Sequence, residues 1–347
     1  MIKTYIPEDF HGACSWQSPS NIALVKYWGK RAPQLPMNPS ISFTLSECRT
    51  TMRTVFEASE RFSLGFTFGG KPNEAFAEKI RKFIEAHKDA FPFVDNLSLN
   101  IDSSNTFPHS SGIASSASSM SALVMALLDI ERSLNGGEID VRKASYFARL
   151  ASGSASRSVI NKIALWGRTD AIEGSSDEYA VDIHDIAAPV FHTYRDSILI
   201  VSDDKKSISS TAGHRLMDGN PFAEVRYREA NNNILLLLKA FKEADLQLFM
   251  DVVESEAMQL HAMMMCSKPY FLLVKPNTIH IINKVRQFRA DTHIPLCFTL
   301  DAGPNVHLLY PDEHYAAVKQ FVETELQADI PNLKHIDDKV GDGASRI

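Results

Sequence analysis

Residues 105–123, NTFPHSSGIASSASSMSAL, set a proline, a glycine and a run of serines directly before an apolar pattern. Met120, Leu123, Val124, Leu127 and Leu128 fall on one face of a 3.6-residue period, which predicts a helix. Upstream, residues 97–101 alternate as a strand. The stretch therefore reads as strand, loop with Pro108 and Gly112, then helix from Ser115 or Ser116. Serines at that junction stand at a helix N-terminus, where unpaired N–H groups point outward and the dipole favours negative charge. Small residues let a phosphate approach the backbone, and hydroxyls donate to phosphate or ligate Mg²⁺. A plain serine-rich loop with an N-cap has the same pattern. The Gly-Lys-Ser/Thr ending of a Walker A loop is absent.

Around this junction the first half mixes strands at 22–28 and 41–45 with helices at 75–87 and 141–150. A polar, acidic stretch at 167–179 reads as a surface loop before a second lobe. That lobe is expected to hold a strand at 198–202, two long helices within 223–266 and a third at 278–288. Two strands around a tight turn follow at 297–310, then a closing helix at 315–326. The fold class is α+β. A length of 347 residues suits two lobes, placed at 1–185 and 186–347.

Lys and Arg total 36 against 42 Asp and Glu, a net of -6, which leaves no footprint for nucleic acid and no polybasic segment for a membrane. The most apolar run, 234–238, is too short to span a bilayer, and residues 1–15 lack a signal-peptide core. Cys14, Cys48, Cys266 and Cys297 form no CxxC pair, so a disulfide framework or structural zinc is not expected and a reducing cytoplasm is. The histidines show no HExxH spacing.

Four further stretches carry candidate chemistry. In SPSNIALVKYWGKR, 18–31, strand alternation would put Lys26 and Trp28 on one side and Tyr27 on the other, with Gly29 bending the chain before Lys30. Two cations with two aromatics suit an anionic, partly apolar substrate, and equally an edge strand. In SGSASRS, 152–158, Arg157 suits a two-pronged grip on a carboxylate or phosphate, or a helix terminus. In FTLDAGPNVHLLY, 298–310, Asp301 opens a Gly-Pro-Asn turn, a setting that is usually structural. KKSISSTAG, 205–213, is a cation-plus-hydroxyl loop. Met258 and Met263 to Met265 read as helix core.

The order of these motifs, SNIAxxKYWGK, NxFPxxxGIASSA, SGSAxRS and DAGPN, resembles the diphosphomevalonate decarboxylases of the GHMP kinase superfamily over nearly the whole chain, 18–310. The resemblance implies a GHMP kinase-like two-lobed fold, with a ribosomal protein S5 domain 2-like N-terminal lobe and a ferredoxin-like C-terminal lobe. It implies ATP and Mg²⁺ as partners, and a homodimer. Asn105, Pro108, Ser110, Ser111, Gly112, Ile113, Ala114, Ser115 and Ser116 would bind ATP, with Ser116 also on the metal. Residues 66–73 are candidates for the adenine side. Lys26 and Asp301 would meet near the reacting hydroxyl. Tyr27, Lys30, Ser152, Ser154 and Arg157 would contact the mevalonate diphosphate, and Ser209, Ser210 and Thr211 would approach its diphosphate.

The implied reaction is ATP-dependent decarboxylation of mevalonate 5-diphosphate to isopentenyl diphosphate, through phosphorylation of the 3-hydroxyl and loss of phosphate and CO₂. Asp301 would orient and deprotonate the hydroxyl, Lys26 would offset phosphoryl charge and keep Asp301 ionised, and Arg157 would hold the carboxylate. Where the family usually has a glycine pair, the chain has Asn161 and Lys162, expected behind the substrate pocket. Mevalonate 5-phosphate or mevalonate are therefore alternative substrates, for a decarboxylase or a 3-kinase. A non-catalytic nucleotide- or precursor-binding relative would have lost Asp301, Lys26 or Arg157, and all three are present.

Overall fold

The computed structural model describes residues 6–108, 113, 115–202 and 210–347, with only the backbone at 210 and 211. The first sheet has eight strands. Its main path runs Ser345–Arg346, His11–Ala23, Ser40–Ala58, Leu97–Asn105, Ser63–Phe68, Lys71–Pro72, and the short strands Ile163–Trp166 and Ala180–Asp182 extend from the start of Ser40–Ala58. Pairing is antiparallel except between Ser63–Phe68 and Leu97–Asn105. Parallel neighbours need a crossover, and the helix Glu74–Ala86 supplies it. Asn73 starts that helix by accepting the Phe76 N–H at 3.1 Å.

The helix Ser115–Asn135 lies on this sheet and is buried continuously from Ala117 to Ile130. Its serines divide by environment. Ser118 and Ser121 face the sheet, 2.6 Å from the Thr50 hydroxyl and 2.8 Å from the Ser18 hydroxyl. Small, self-satisfied side chains let helix and sheet approach closely. Ser115 is half-buried and Ser116 exposed, so the first turn looks out, as does the last turn with the exposed Ser133.

The second sheet runs Cys297–Thr299, Val306–Tyr310, Arg195–Ile200, Lys334–Lys339, all antiparallel. Numbered along the chain this order is 2-3-1-4, the ferredoxin-like βαββαβ arrangement. The helices Ala223–Glu243 and Leu246–Met265 are separated by Ala244 in the left-handed region, φ 53°. Among the described residues no helix is long and apolar enough to cross a membrane.

The two sheets share a core. Phe43 of the first packs on Tyr194 and on Phe241 and Phe249 of the long helices, with ring centroids 5.8 to 6.1 Å apart. Asp338, in the edge strand of the second sheet, accepts the backbone N–H groups of Ser46, Glu47 and Cys48 at 2.7 to 2.8 Å.

Several expectations change. The strand placed at 22–28 is instead His11–Ala23, and residues 24–29 leave the sheet, so the alternation predicted for Lys26 to Trp28 does not apply. Upstream, the buried Cys14 and Trp16 alternate with the exposed Ala13 and the half-buried Ser15 and Gln17, as on a strand with one covered face. The strand at 198–202 is Arg195–Ile200, and the closing helix changes to a π-turn at Val322–Leu326. Met258 and Met265 are exposed rather than core.

Candidate active site

Lys26 sits where the first sheet ends. With no ladder partner, its backbone is held by side chains. Its N–H donates to Glu256 Oε2 at 2.8 Å, and its carbonyl accepts from Asn38 at 3.1 Å and Arg226 at 3.4 Å. Glu256 is fixed by Arg226 at 2.6 Å and Asn233 at 2.6 Å. The Arg226 and Glu256 side chains are 1% and 0% exposed, so this ion pair is a rigid buried strut. The Lys26 ammonium reaches the Ala23 carbonyl at 2.6 Å and Asp301 Oδ1 at 3.1 Å. Burial outweighs the pull of Asp301 and holds its pKa below the ordinary lysine value.

Asp301 follows Cys297–Thr299 in the second sheet, and its carbonyl accepts from Gly303 N–H at 2.7 Å and bonds His261 Nε2 at 3.1 Å. Its carboxylate is a quarter exposed, toward the cleft. The two residues thus lie just beyond strand ends of two different sheets.

Arg157 lies in a short helix, Ala155–Ser158, with its guanidinium buried. Nε donates to Asn21 Oδ1 at 3.2 Å, and a terminal nitrogen donates to the Ser40 hydroxyl. Burial lowers its pKa to about 10 against the pull of Asp301, so it stays a cation near neutral pH. Beside it, a Cβ on Gly153 would lie 2.8 Å from the Tyr27 hydroxyl, so only glycine fits between Ser152 and Ser154. Tyr27 packs against Trp166 at 4.6 Å and His214 at 4.3 Å. Gly29 has φ +95°, and a Cβ there would meet the Tyr227 hydroxyl at 2.3 Å, which fixes the turn into Lys30. Lys30 donates to Gln34 at 2.5 Å, and burial together with Arg215 lowers its pKa.

Lys26, Tyr27, Lys30, Ser116, Ser152, Ser154, Arg157 and Asp301 all line one cleft of about 190 Å³. Within it the Ser116 hydroxyl donates to the Ser152 hydroxyl at 3.4 Å and accepts from Lys79 at 2.9 Å. Burial brings the Lys79 pKa down to about 8. Asn105 accepts from Thr50 at 2.8 Å, while its buried Nδ2 has no partner among the described residues. Ile113 is buried and its carbonyl accepts from Ser20 at 3.1 Å, and Pro108 is exposed. Ser110, Ser111, Gly112, Ala114 and Ser209 lie outside the described residues, as do the side chains of Ser210 and Thr211.

Asn161 and Lys162 do not back the cleft. Asn161 accepts from Gly343 N–H at 2.9 Å, the Lys162 N–H donates to the Gly341 carbonyl at 2.8 Å, and Lys162 has φ 48°. A positive φ explains why glycine suits this position, and the substitution faces the C-terminal segment rather than the substrate side. Sequence reading did not single out Glu256, Arg226, His261, His214 or Lys79. Each lies in a helix, with no motif to mark it.

The N-terminal half, 18–180, matches the model for the diphosphomevalonate decarboxylase-like N-terminal domain, and 197–341 matches the mevalonate 5-diphosphate decarboxylase C-terminal domain. Diphosphomevalonate decarboxylase of Candida albicans is 32% identical over 87% of this chain and 84% of its own length, and that of Saccharomyces cerevisiae 31% over 88% and 79%. Mevalonate diphosphate decarboxylase of Staphylococcus aureus superposes with a TM-score of 0.83 at 26% identity, over 97% of this chain and 98% of that one. MDDEF in complex with MVAPP, AMPPCP and magnesium gives 0.82 at 28%, over 97% and 99%. With both halves matched in order and the fold shared end to end, the chain belongs to the diphosphomevalonate decarboxylase family.

Proposed function

We infer that the cleft catalyses ATP-dependent decarboxylation of mevalonate 5-diphosphate to isopentenyl diphosphate, with release of ADP, phosphate and CO₂. One observation carries the residue assignment: the Lys26 ammonium and Asp301 carboxylate, 3.1 Å apart, line one cleft with the buried Arg157 cation and Ser116. Asp301 accepts the proton of the 3-hydroxyl as that oxygen attacks phosphorus. Lys26 balances the negative charge that gathers between this carboxylate and the transferring group. Arg157 holds the substrate carboxylate so that the breaking C–C bond stays aligned. Its electron pair forms the alkene as CO₂ and phosphate depart.

The nucleotide fits beside Ser116. The helix Ser115–Asn135 carries no acidic residue in its first turn, Lys79 donates to Ser116 in that turn, and Asn105 holds an unused buried amide. ATP supplies the phosphoryl group that makes the tertiary oxygen a leaving group, and Mg²⁺ offsets phosphate charge. No cluster of three His, Cys, Asp or Glu among the described residues offers a metal cage. A hydroxyl such as Ser116, together with nucleotide phosphates, matches how Mg²⁺ is usually held. Tyr27, Lys30, Ser152 and Ser154 bind the diphosphate side, and Ser209 to Thr211 close on it.

The same reading takes residues 1–185 and 186–347 as the two lobes and the protein as a cytoplasmic homodimer. Four unpaired cysteines and the exposed Val225, Leu235 and Leu236 on one helix support it. The decisive experiment incubates mevalonate, its 5-phosphate and its 5-diphosphate with Mg-ATP and measures ADP and CO₂ separately. Equal ADP and CO₂ from the diphosphate is expected. ADP without CO₂ would leave a kinase and overturn the decarboxylase.

A further inference from the structure

His214 is nine-tenths buried, yet it belongs to no predicted motif and to none of the roles above. Its ring is clamped between Tyr27 at 4.3 Å and Trp28 at 4.7 Å. The Gly29 N–H donates to Nδ1 at 3.0 Å. A neutral imidazole that accepts at Nδ1 carries its proton on Nε2, so the tautomer is fixed by the backbone. Among the described residues Nε2 has no hydrogen-bond partner. The ring walls the catalytic cleft, and together with Lys30 and Gln34 it marks where that cleft opens into a second cavity of about 840 Å³.

We propose that His214 is a substrate-contacting residue, donating its Nε2–H to an oxygen of the substrate's phosphate tail beside the Lys30 ammonium. The proposal rests on the decarboxylase reading for the identity of that substrate. Burial and the charge of Lys30 lower the His214 pKa to about 3, so the ring is a neutral, directional donor where Lys30 is a charge. A buried donor aimed at an anion favours the ligand that satisfies it and penalises one that leaves it bare. The second phosphate of a diphosphate reaches further toward the Lys30 end than a monophosphate does. His214 therefore separates the two.

H214N tests this, because Asn Oδ1 can replace Nδ1 as acceptor for Gly29 while the Nε2–H is lost. KM for mevalonate 5-diphosphate should rise about tenfold or more, with kcat and KM for ATP within about threefold and the melting temperature near that of the parent. The rise should be smaller with mevalonate 5-phosphate. An unchanged KM for the diphosphate, or a parallel loss in kcat, ATP affinity and melting temperature, overturns the proposal. Should H214N fail to fold, ¹⁵N NMR of the parent imidazole on titration with mevalonate 5-diphosphate replaces it. A shift at Nε2 supports the contact and a static Nε2 overturns it. Binding is read independently of turnover, so a parent that binds the diphosphate without releasing CO₂ indicts the decarboxylase reading and leaves the contact standing.

Discussion

Lys26 and Asp301 are 275 positions apart in the chain and 3.1 Å apart in space, and neither residue type alone announces the meeting. What was legible was the neighbourhood of each: SNIALVKYWGK around one, DAGPN around the other. Asp301→Asn keeps the size and polarity of the side chain and removes its capacity to take a proton. Binding of mevalonate 5-diphosphate and ATP should persist in calorimetry while kcat falls about 10²- to 10⁴-fold. Near-parental turnover would remove Asp301 from the reaction. His261 makes a different statement at this scale. It bonds the Asp301 carbonyl, and burial lowers its pKa from 6.5 to about 4. Between those values the unfolded chain takes up a proton that the folded one does not, so unfolding is favoured as pH falls. Stability should drop from about pH 6.5 toward 4, by up to about 3 kcal/mol from this residue. Urea melts across that range should show a flatter slope for His261→Gln, and an identical slope would refute the assignment.

At the scale of elements, the sequence marked the start of the Ser115–Asn135 helix, because the change from strand alternation to a helical period is local. It did not mark where His11–Ala23 ends. Apolar residues continue through Leu24 and Val25, and periodicity cannot distinguish a strand from a buried irregular segment. The segment at 24–29 is stable off the sheet because Glu256, Arg226 and Asn38 satisfy the Lys26 backbone, with Asn233 holding Glu256 in place. Glu256→Ala should strand Arg226 as a buried uncompensated cation and cost roughly 3–5 kcal/mol. The loss is measurable by urea denaturation, with residual activity falling through Lys26. A cost below about 1 kcal/mol would show the clamp to be dispensable.

At the scale of the molecule, the Lys26–Asp301 ion pair exists only because two sheets are held in one relation. Asp338 takes three backbone N–H groups of the first sheet onto a strand of the second, and the strand Ser345–Arg346 returns to pair with His11–Ala23. Asp338→Asn turns one acceptor into a donor facing the Cys48 N–H. It should destabilise by about 2–3 kcal/mol in denaturant, with kcat reduced as the Lys26 to Asp301 spacing loosens. Unchanged stability would mean that the shared aromatic core around Phe43 holds the sheets unaided. By itself the sequence determined the α+β class and the main helices, because those follow from local periodicity, and its motif order singled out Lys26, Arg157, Ser116 and Asp301 as candidates. Only the tertiary structure decided that Ser118 and Ser121 serve packing, that Asn161 and Lys162 face away from the cleft, and that Glu256, His261 and His214 support or wall it. The physical reason is that burial and hydrogen-bond partners arise from segments distant in the chain, and an isolated polar residue in a helix carries no trace of what will meet it.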